Sequence, residues 1–111
     1  CSEGNQLRDF LYIDDAVEAI IKSLSTKGTI GKIINIGCGK PIKVKKIIKT
    51  INSKIKKGKP IFGKVKLRID ESKKIYPNLT VAKKRLRWKS RTSIETGLNK
   101  TINFYKKKLK K

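Results

Sequence analysis

Apolar residues recur at helical spacing in three stretches of this 111-residue chain, and that spacing limits the folds the chain can adopt. Residues 17–24, 44–55 and 94–109 each place isoleucine, leucine, valine or aromatic side chains along one side of a helix. Three shorter segments are rich in branched and aromatic residues and are predicted strands: 8–13, 32–36 and 65–69. With a further short helix over 80–86, strands and helices alternate, and this order predicts an α/β fold.

Acidic residues near the start of two of these helices predict how the helices begin. Asp15 is followed three residues later by Glu18, which is the spacing of a capping box, where two side chains satisfy free backbone N–H groups. Thr92 and Glu95 repeat that spacing before the last helix. Trp88 and the apolar sides of the helices are expected to form the core.

The length of the chain fits one domain or part of one. Three apolar helical sides over so few strands predict a subdomain that packs against a missing partner. The chain has no methionine, and we interpret this as a sign that it is a piece of a longer protein. We expect one unit over residues 1–111, with a frayed basic tail over 106–111. No apolar run approaches the roughly 18 residues that a membrane span needs, so no membrane partner is expected.

A formal net charge of +22 is the most extreme property of the composition and points to nucleic acid as one possible partner. Lysine outnumbers arginine 25 to 5, however, whereas a nucleic-acid groove would favour the bidentate fork of arginine. Isoleucine outnumbers valine 17 to 4, and an A/T-rich coding sequence would explain both biases. Phenylalanines and tyrosines fall mostly in the apolar stripes, which speaks against a base-stacking surface.

Most lysines are therefore expected on solvated surface. A basic nucleic-acid-binding module stays as one alternative, and a degenerate fragment that does not fold stably is another. The two cysteines, Cys1 and Cys38, lack the spacing of a metal site or a disulfide framework, and the chain has no histidine. No metal is predicted, and a reduced, cytoplasmic setting is expected.

The scarce arginines lie beside scarce acids at two places. Arg8 precedes Asp9 near the start of the chain, and Arg68 stands three residues before Glu71. A guanidinium matches two phosphate oxygens, and a nearby carboxylate can accept a hydrogen bond from a ribose hydroxyl. Two such arginines brought together would bind a diphosphate, although each taken alone is more often part of a surface ion pair.

Gly37 and Gly39 follow a predicted strand and precede a predicted helix, as in the opening of a dinucleotide-binding fingerprint. No third glycine follows at the required spacing, Pro41 occupies the turn, and no acid stands about 20 residues further on. The two glycines are therefore expected to give backbone freedom at a turn, and no cofactor site is predicted there.

Four segments taken together show a wider resemblance: GNQLRDFLYIDDAVEAI, IINIGCGKPIKV, FGKVKLRIDE and LRWKSRTSIETGLNKTINFYKK. Their order and spacing resemble the C-terminal half of the extended short-chain dehydrogenase/reductases, the NAD-dependent epimerase/dehydratase enzymes that act on nucleotide sugars. The resemblance covers essentially the whole chain. It implies an α/β substrate-binding subdomain that is incomplete without an N-terminal Rossmann half.

The resemblance also implies roles for individual residues. Arg8 and Arg68 match the arginines that hold the diphosphate of the nucleotide sugar, and Glu71 matches the acid that meets the ribose. Asp9 would orient Arg8 or close the strand end. Asn35 and the turn of Gly37 and Gly39 would lie near the cleft as structural support.

Two parts of the family pattern are missing from the sequence. There is no glycine-rich cofactor loop, and no tyrosine is followed four residues later by lysine. Hydride transfer needs both, so the chain is expected to be inactive alone. The resemblance implies that the absent half binds NAD or NADP. It also implies that the parent enzyme is a homodimer. The sugar, the base and the choice between epimerase, dehydratase and reductase stay open.

Two departures from the family pattern concern helix ends. Lys43 stands where a serine or threonine usually caps the helix after the glycine turn, and Arg87 replaces the usual glycine before the tryptophan. Glycine adopts a left-handed helix end without strain, so looser packing around Trp88 is expected.

Overall fold

Three two-residue strands form one mixed sheet in the computed structural model, which describes residues 1–110. Strand β1 (Leu7–Arg8) lies in the middle, with β2 (Ile42–Lys43) antiparallel on one side and β3 (Lys74–Ile75) parallel on the other. The order is β2-β1-β3. Helices follow two of these strands, so the predicted α/β class is confirmed.

The predicted helices are present. They are α1 (Ile13–Ser25), α2 (Val44–Ile55), a π-helical segment (Ala82–Leu86) and α3 (Ile94–Leu109). The expected frayed tail is helical as far as Leu109, and Lys111 lies outside the described residues.

The predicted strands are mostly absent from the described part of the chain. Of residues 8–13 only Arg8 belongs to a strand. Residue Ile13, at the end of the predicted strand, is the first residue of α1. Neither residues 32–36 nor residues 65–69 form a strand, and β3 starts several residues after the second segment. A strand requires a neighbour with which to exchange hydrogen bonds, and the sequence alone does not reveal whether one is present.

Both predicted capping boxes are wrong, because tertiary contacts use the same side chains. Helix α1 has no side-chain cap, and the buried Asp15 carboxylate instead accepts from the backbone N–H groups of Arg91 at 3.1 Å and Thr92 at 2.9 Å. The hydroxyl of Thr92 also donates to Asp15, at 3.2 Å. The cap of α3 is Ser93, whose Oγ accepts from the N–H of Thr96 at 3.2 Å.

Trp88 is the largest side chain of a small core. It is 1% exposed and packs with Ala19, Ala82 and Leu86, and its indole N–H donates to the carbonyl of Asp15 at 3.1 Å. Leu11, Ile34 and Ile36 pack around this cluster.

The expectation of loose packing around the tryptophan is therefore wrong. Arg87 adopts the left-handed conformation in place of the usual glycine, with φ of 50°. The helix end thus keeps its geometry, at the cost of strain in a non-glycine residue.

The chain exposes much more surface than a complete domain of its size. Its accessible area is 8912 Å², against about 6,200 Å² expected for a folded monomer of this length. Its radius of gyration is 16.6 Å, against about 13 Å expected, and its principal extents are 48 × 40 × 20 Å. The chain is a flat α/β segment with an uncovered side, as the sequence predicts.

The uncovered side includes the apolar stripe of α1. Val17, Ile20, Ile21 and Leu24 are all exposed, and Ile33 in the predicted strand 32–36 is 89% exposed. Clusters of exposed apolar side chains are typical of surfaces that another part of a protein covers. None of the helices within residues 1–110 is long and apolar enough to cross a membrane.

Candidate functional site

A cleft of about 490 Å³ opens where β1 and β3 end. These two strands are parallel, so the residues that follow them meet at the same edge of the sheet. The polar side chains of the cleft come from Arg8, Asp9, Asn35, Tyr76 and Asn78. Its apolar wall is formed by Leu11, Ile36, Ile75 and Pro77.

Arg8 is held in place at the end of β1. One of its terminal nitrogens, Nη2, lies 3.0 Å from Oε1 of Glu71, and Nη1 donates to the carbonyl of Leu7 at 2.9 Å. The Arg8 and Glu71 side chains are 22% and 24% exposed, so the ion pair is partly shielded from water. A guanidinium has five N–H donors, so Arg8 still has donors to offer a ligand in the cleft.

Asp9 binds the glycine turn. Its two carboxylate oxygens accept from the backbone N–H of Cys38 at 2.7 Å and of Gly39 at 2.6 Å. Two consecutive amide groups are the usual ligands of a phosphate in a glycine-rich loop. Asp9 therefore occupies both of these amide groups.

Close packing requires glycine at both positions of this turn. A Cβ built on Gly37 would lie 2.5 Å from Cγ of Pro77 and 3.0 Å from Oδ2 of Asp9. Gly39 has φ of 82°, and its Cβ would lie 3.0 Å from Leu79. The turn therefore packs directly against Asp9 and against the segment that follows β3.

Of the three residues predicted to bind substrate, the structure brings two together. Glu71 pairs with Arg8 across 63 positions of sequence. Arg68 is exposed, and it is not among the residues that line the cleft. It lies nearby along the backbone, because the N–H of Glu71 donates to the Arg68 carbonyl at 3.0 Å.

Three of the predicted supporting residues line the cleft: Asp9, Asn35 and Gly37. Sequence reasoning missed two cleft residues, Tyr76 and Asn78, which follow β3. Strand β3 lies outside every predicted strand, so nothing placed these residues beside Asp9. The alternating stretch from Lys74 to Tyr76 is the one local signal that could have indicated it.

The aromatic side chains are more exposed than the sequence suggests. Tyr76 is 49% exposed, Phe104 61% and Tyr105 55%. Because these three side chains are accessible, the placement of the aromatic residues does not count against a nucleic-acid surface. Phe104 and Tyr105 lie on α3, whereas Tyr76 lies in the cleft, so they do not belong to one element.

A cluster of lysines lies elsewhere, along α2. Lys43, Lys45, Lys46 and Lys49 line an open groove of about 430 Å³. Within residues 1–110, no group of three or more histidine, cysteine, aspartate or glutamate side chains could hold a metal ion.

Solved structures share this fold and define the class to which it belongs. UDP-glucose 4-epimerase from Thermotoga maritima, solved with UDP-glucose, matches 96% of this chain with a TM-score of 0.84 and 27% identity. UDP-glucuronic acid 4-epimerase from Bacillus cereus, solved with UDP-glucuronic acid and NAD, matches 88% with a TM-score of 0.75 and 30% identity. The fold is that of the extended short-chain dehydrogenase/reductases.

The chain belongs to the GDP-mannose 4,6 dehydratase family, whose profile matches residues 1–101. It is 37% identical over 112 residues to UDP-glucuronate 4-epimerase of Thermodesulfobacterium geofontis (strain OPF15). That match covers 96% of this chain but only 32% of the relative, so the chain spans about a third of the length of that relative. The resemblance to NAD-dependent epimerases and dehydratases is thus confirmed.

Proposed function

We propose that this chain is the nucleotide-sugar-binding part of an NAD(P)-dependent epimerase, dehydratase or reductase. The observation that carries the proposal is the position of Arg8. This arginine lines the cleft where two parallel strands end, and Glu71 holds it there. The similarity to enzymes solved with UDP-glucose and with UDP-glucuronic acid supports it. Arg8 binds the diphosphate, and Glu71 has a second carboxylate oxygen that can accept from a ribose hydroxyl.

Arg68 is proposed as the second diphosphate ligand. Its side chain is exposed and makes no ion pair with the residues the structure describes, so its guanidinium is available to a ligand. Its backbone bond to Glu71 keeps it close to the Arg8 pair. Binding by both arginines requires the Arg68 side chain to turn toward the cleft.

The cofactor and the reaction belong to residues outside this chain. The glycine turn is occupied by Asp9, and NAD or NADP is proposed to bind to the remainder of a longer protein, which also supplies the proton-transfer residues. The exposed stripe of α1 and residues 32–36 are proposed to pack against that remainder. We also propose that the longer protein is a homodimer and that it acts in the cytoplasm.

The proposal is tested by changing Arg8→Ala in the complete protein and measuring the dissociation constant for UDP-glucose. Loss of a charge-assisted hydrogen bond should weaken binding roughly ten- to a hundredfold. Arg85→Ala is the matched control, because Arg85 contacts the carbonyl of Gly28 and does not line the cleft. An unchanged affinity in Arg8→Ala would remove Arg8 from the site.

A nucleic-acid-binding function would use the lysine groove of α2 instead. It predicts an affinity for RNA or DNA that falls steeply with salt and does not depend on Arg8. The family match gives it no support.

A further inference from the structure

The cleft differs in charge from the rest of the molecule. The chain carries 30 basic and 8 acidic residues, yet the cleft contains one cation, Arg8, with two acids beside it. These are Asp9, which lines the cleft, and Glu71, which pairs with Arg8. Two of so few acids thus lie at the one place where the proposed function puts an anionic ligand.

The two acids are used differently. Both oxygens of Asp9 accept from the amides of Cys38 and Gly39, so this carboxylate is held by the glycine turn. The carboxylate of Glu71 instead faces the guanidinium at 3.0 Å. Glu71 is therefore the acid that contacts the guanidinium, and its charge acts at short range on any anion that Arg8 binds.

We propose that Glu71 is a positioning and specificity-determining residue: it orients Arg8 and limits the negative charge that the cleft accepts. A carboxylate next to the guanidinium repels each additional charge on a ligand, and partial burial of the pair weakens screening by water. A diphosphate is then favoured over a triphosphate with the same base. This inference rests on the proposed function, because it assumes that Arg8 binds the phosphates.

The need for such a residue follows from the net charge of +22. A surface this basic attracts polyanions in proportion to their charge. Without a local acid, a nucleoside triphosphate or a nucleic acid would compete with a nucleotide sugar at Arg8. At the cleft, Glu71 lowers the affinity for these more highly charged ligands relative to the nucleotide sugar.

The test compares the dissociation constants for UDP and UTP at constant ionic strength in the complete protein. Glu71→Gln keeps an acceptor for Arg8 and removes the charge, so the preference for UDP over UTP should fall on the order of tenfold. Glu95→Gln is the matched control, because Glu95 also forms an ion pair, with Lys54 at 3.3 Å, but its side chain is 74% exposed and lies outside the cleft. The control should keep the wild-type ratio to within about twofold.

A purely structural role for Glu71 predicts a different result. If Glu71 only ties its turn to β1, the Gln variant retains the hydrogen bond and leaves the UDP to UTP ratio unchanged, which would overturn the inference. Glu71→Asp keeps the charge and should keep the ratio, and Glu71→Ser serves if the Gln variant does not fold.

The two proposals fail separately. An unchanged UDP-glucose affinity in Arg8→Ala contradicts the proposed function. A loss of affinity in that variant, together with an unchanged UDP to UTP ratio in Glu71→Gln, contradicts only the role of Glu71.

Discussion

At the scale of single residues, the Asp9 carboxylate fixes the wall of the cleft by accepting from two consecutive backbone N–H groups. The bonds join the residue that follows β1 to a turn about thirty positions along the chain, and the absence of a side chain at Gly37 leaves room for the Asp9 carboxylate. Asp9 therefore supports the shape of the cleft, whereas its neighbour Arg8 is the residue that we propose to bind the ligand.

Asp9→Ala is expected to lower the free energy of unfolding by about 2 kcal/mol or more, because two amide groups lose a charged acceptor. Asp9→Asn retains one carbonyl oxygen and should show an intermediate loss. Urea unfolding of the purified protein measures both. Asp70→Ala is the control, since Asp70 is exposed, and equal losses in the two alanine variants would show that the bonds to the turn contribute nothing.

At the scale of elements, the end of the π-helical segment (Ala82–Leu86) shows strain that a single substitution can relieve. Arg87 has φ of 50° and ψ of 39°, a conformation that glycine adopts freely and that other residues adopt at a cost. Its backbone N–H still closes the segment by donating to the carbonyl of Ala82. The next residue, Trp88, is buried in the core. The left-handed conformation of Arg87 therefore sets the direction in which the backbone carries Trp88 into that core.

Arg87→Gly is expected to raise the stability of the protein by about 1 kcal/mol, which thermal unfolding would detect as a higher midpoint. Lys89→Gly is the control, because Lys89 is exposed and has no positive φ. There the added freedom of glycine in the unfolded chain should lower stability instead. A loss of stability in both variants would contradict the account of strain at Arg87.

The elements also show which features a single sequence reveals. The three long helices were predictable because their apolar periodicity is local. The strands were not, since each depends on a distant partner: β1 is paired by Ile42–Lys43 and by Lys74–Ile75. Asp15 and Thr92 are residue types that often cap helices, but here they form hydrogen bonds with each other and cap neither α1 nor α3.

The same distinction applies to the site. Arg8, Asp9 and Gly37 were predicted to lie at the cleft because they belong to short segments that resemble the family, and all three line it. Tyr76 and Asn78 were not found, because only the parallel pairing of β3 with β1 places them in the cleft. Arg68 is exposed and does not line the cleft, so its role as a diphosphate ligand stays a prediction.

At the scale of the whole molecule, shape and charge both bear on function. An accessible area of 8912 Å² exceeds the expected value by nearly half, and the excess includes the apolar stripe of α1. Residues 32–36 lie beside that stripe without a strand partner among the described residues. We expect both to be covered in the complete protein, with residues 32–36 paired as a strand.

The net charge of +22 also means that an affinity for anions does not by itself locate a binding site. Exposed lysines such as those along α2 attract anions through charge alone, whereas we propose that Glu71 reduces this general attraction beside Arg8. The position of the bound diphosphate is therefore more informative than the strength of binding.

The most direct measurement is a crystal structure of the complete protein with UDP-glucose bound. The account predicts diphosphate oxygens within about 3 Å of the Arg8 guanidinium, with Glu71 still beside it. A diphosphate bound away from Arg8, for example along the lysines of α2, would contradict the assignment of the cleft as the nucleotide-sugar site.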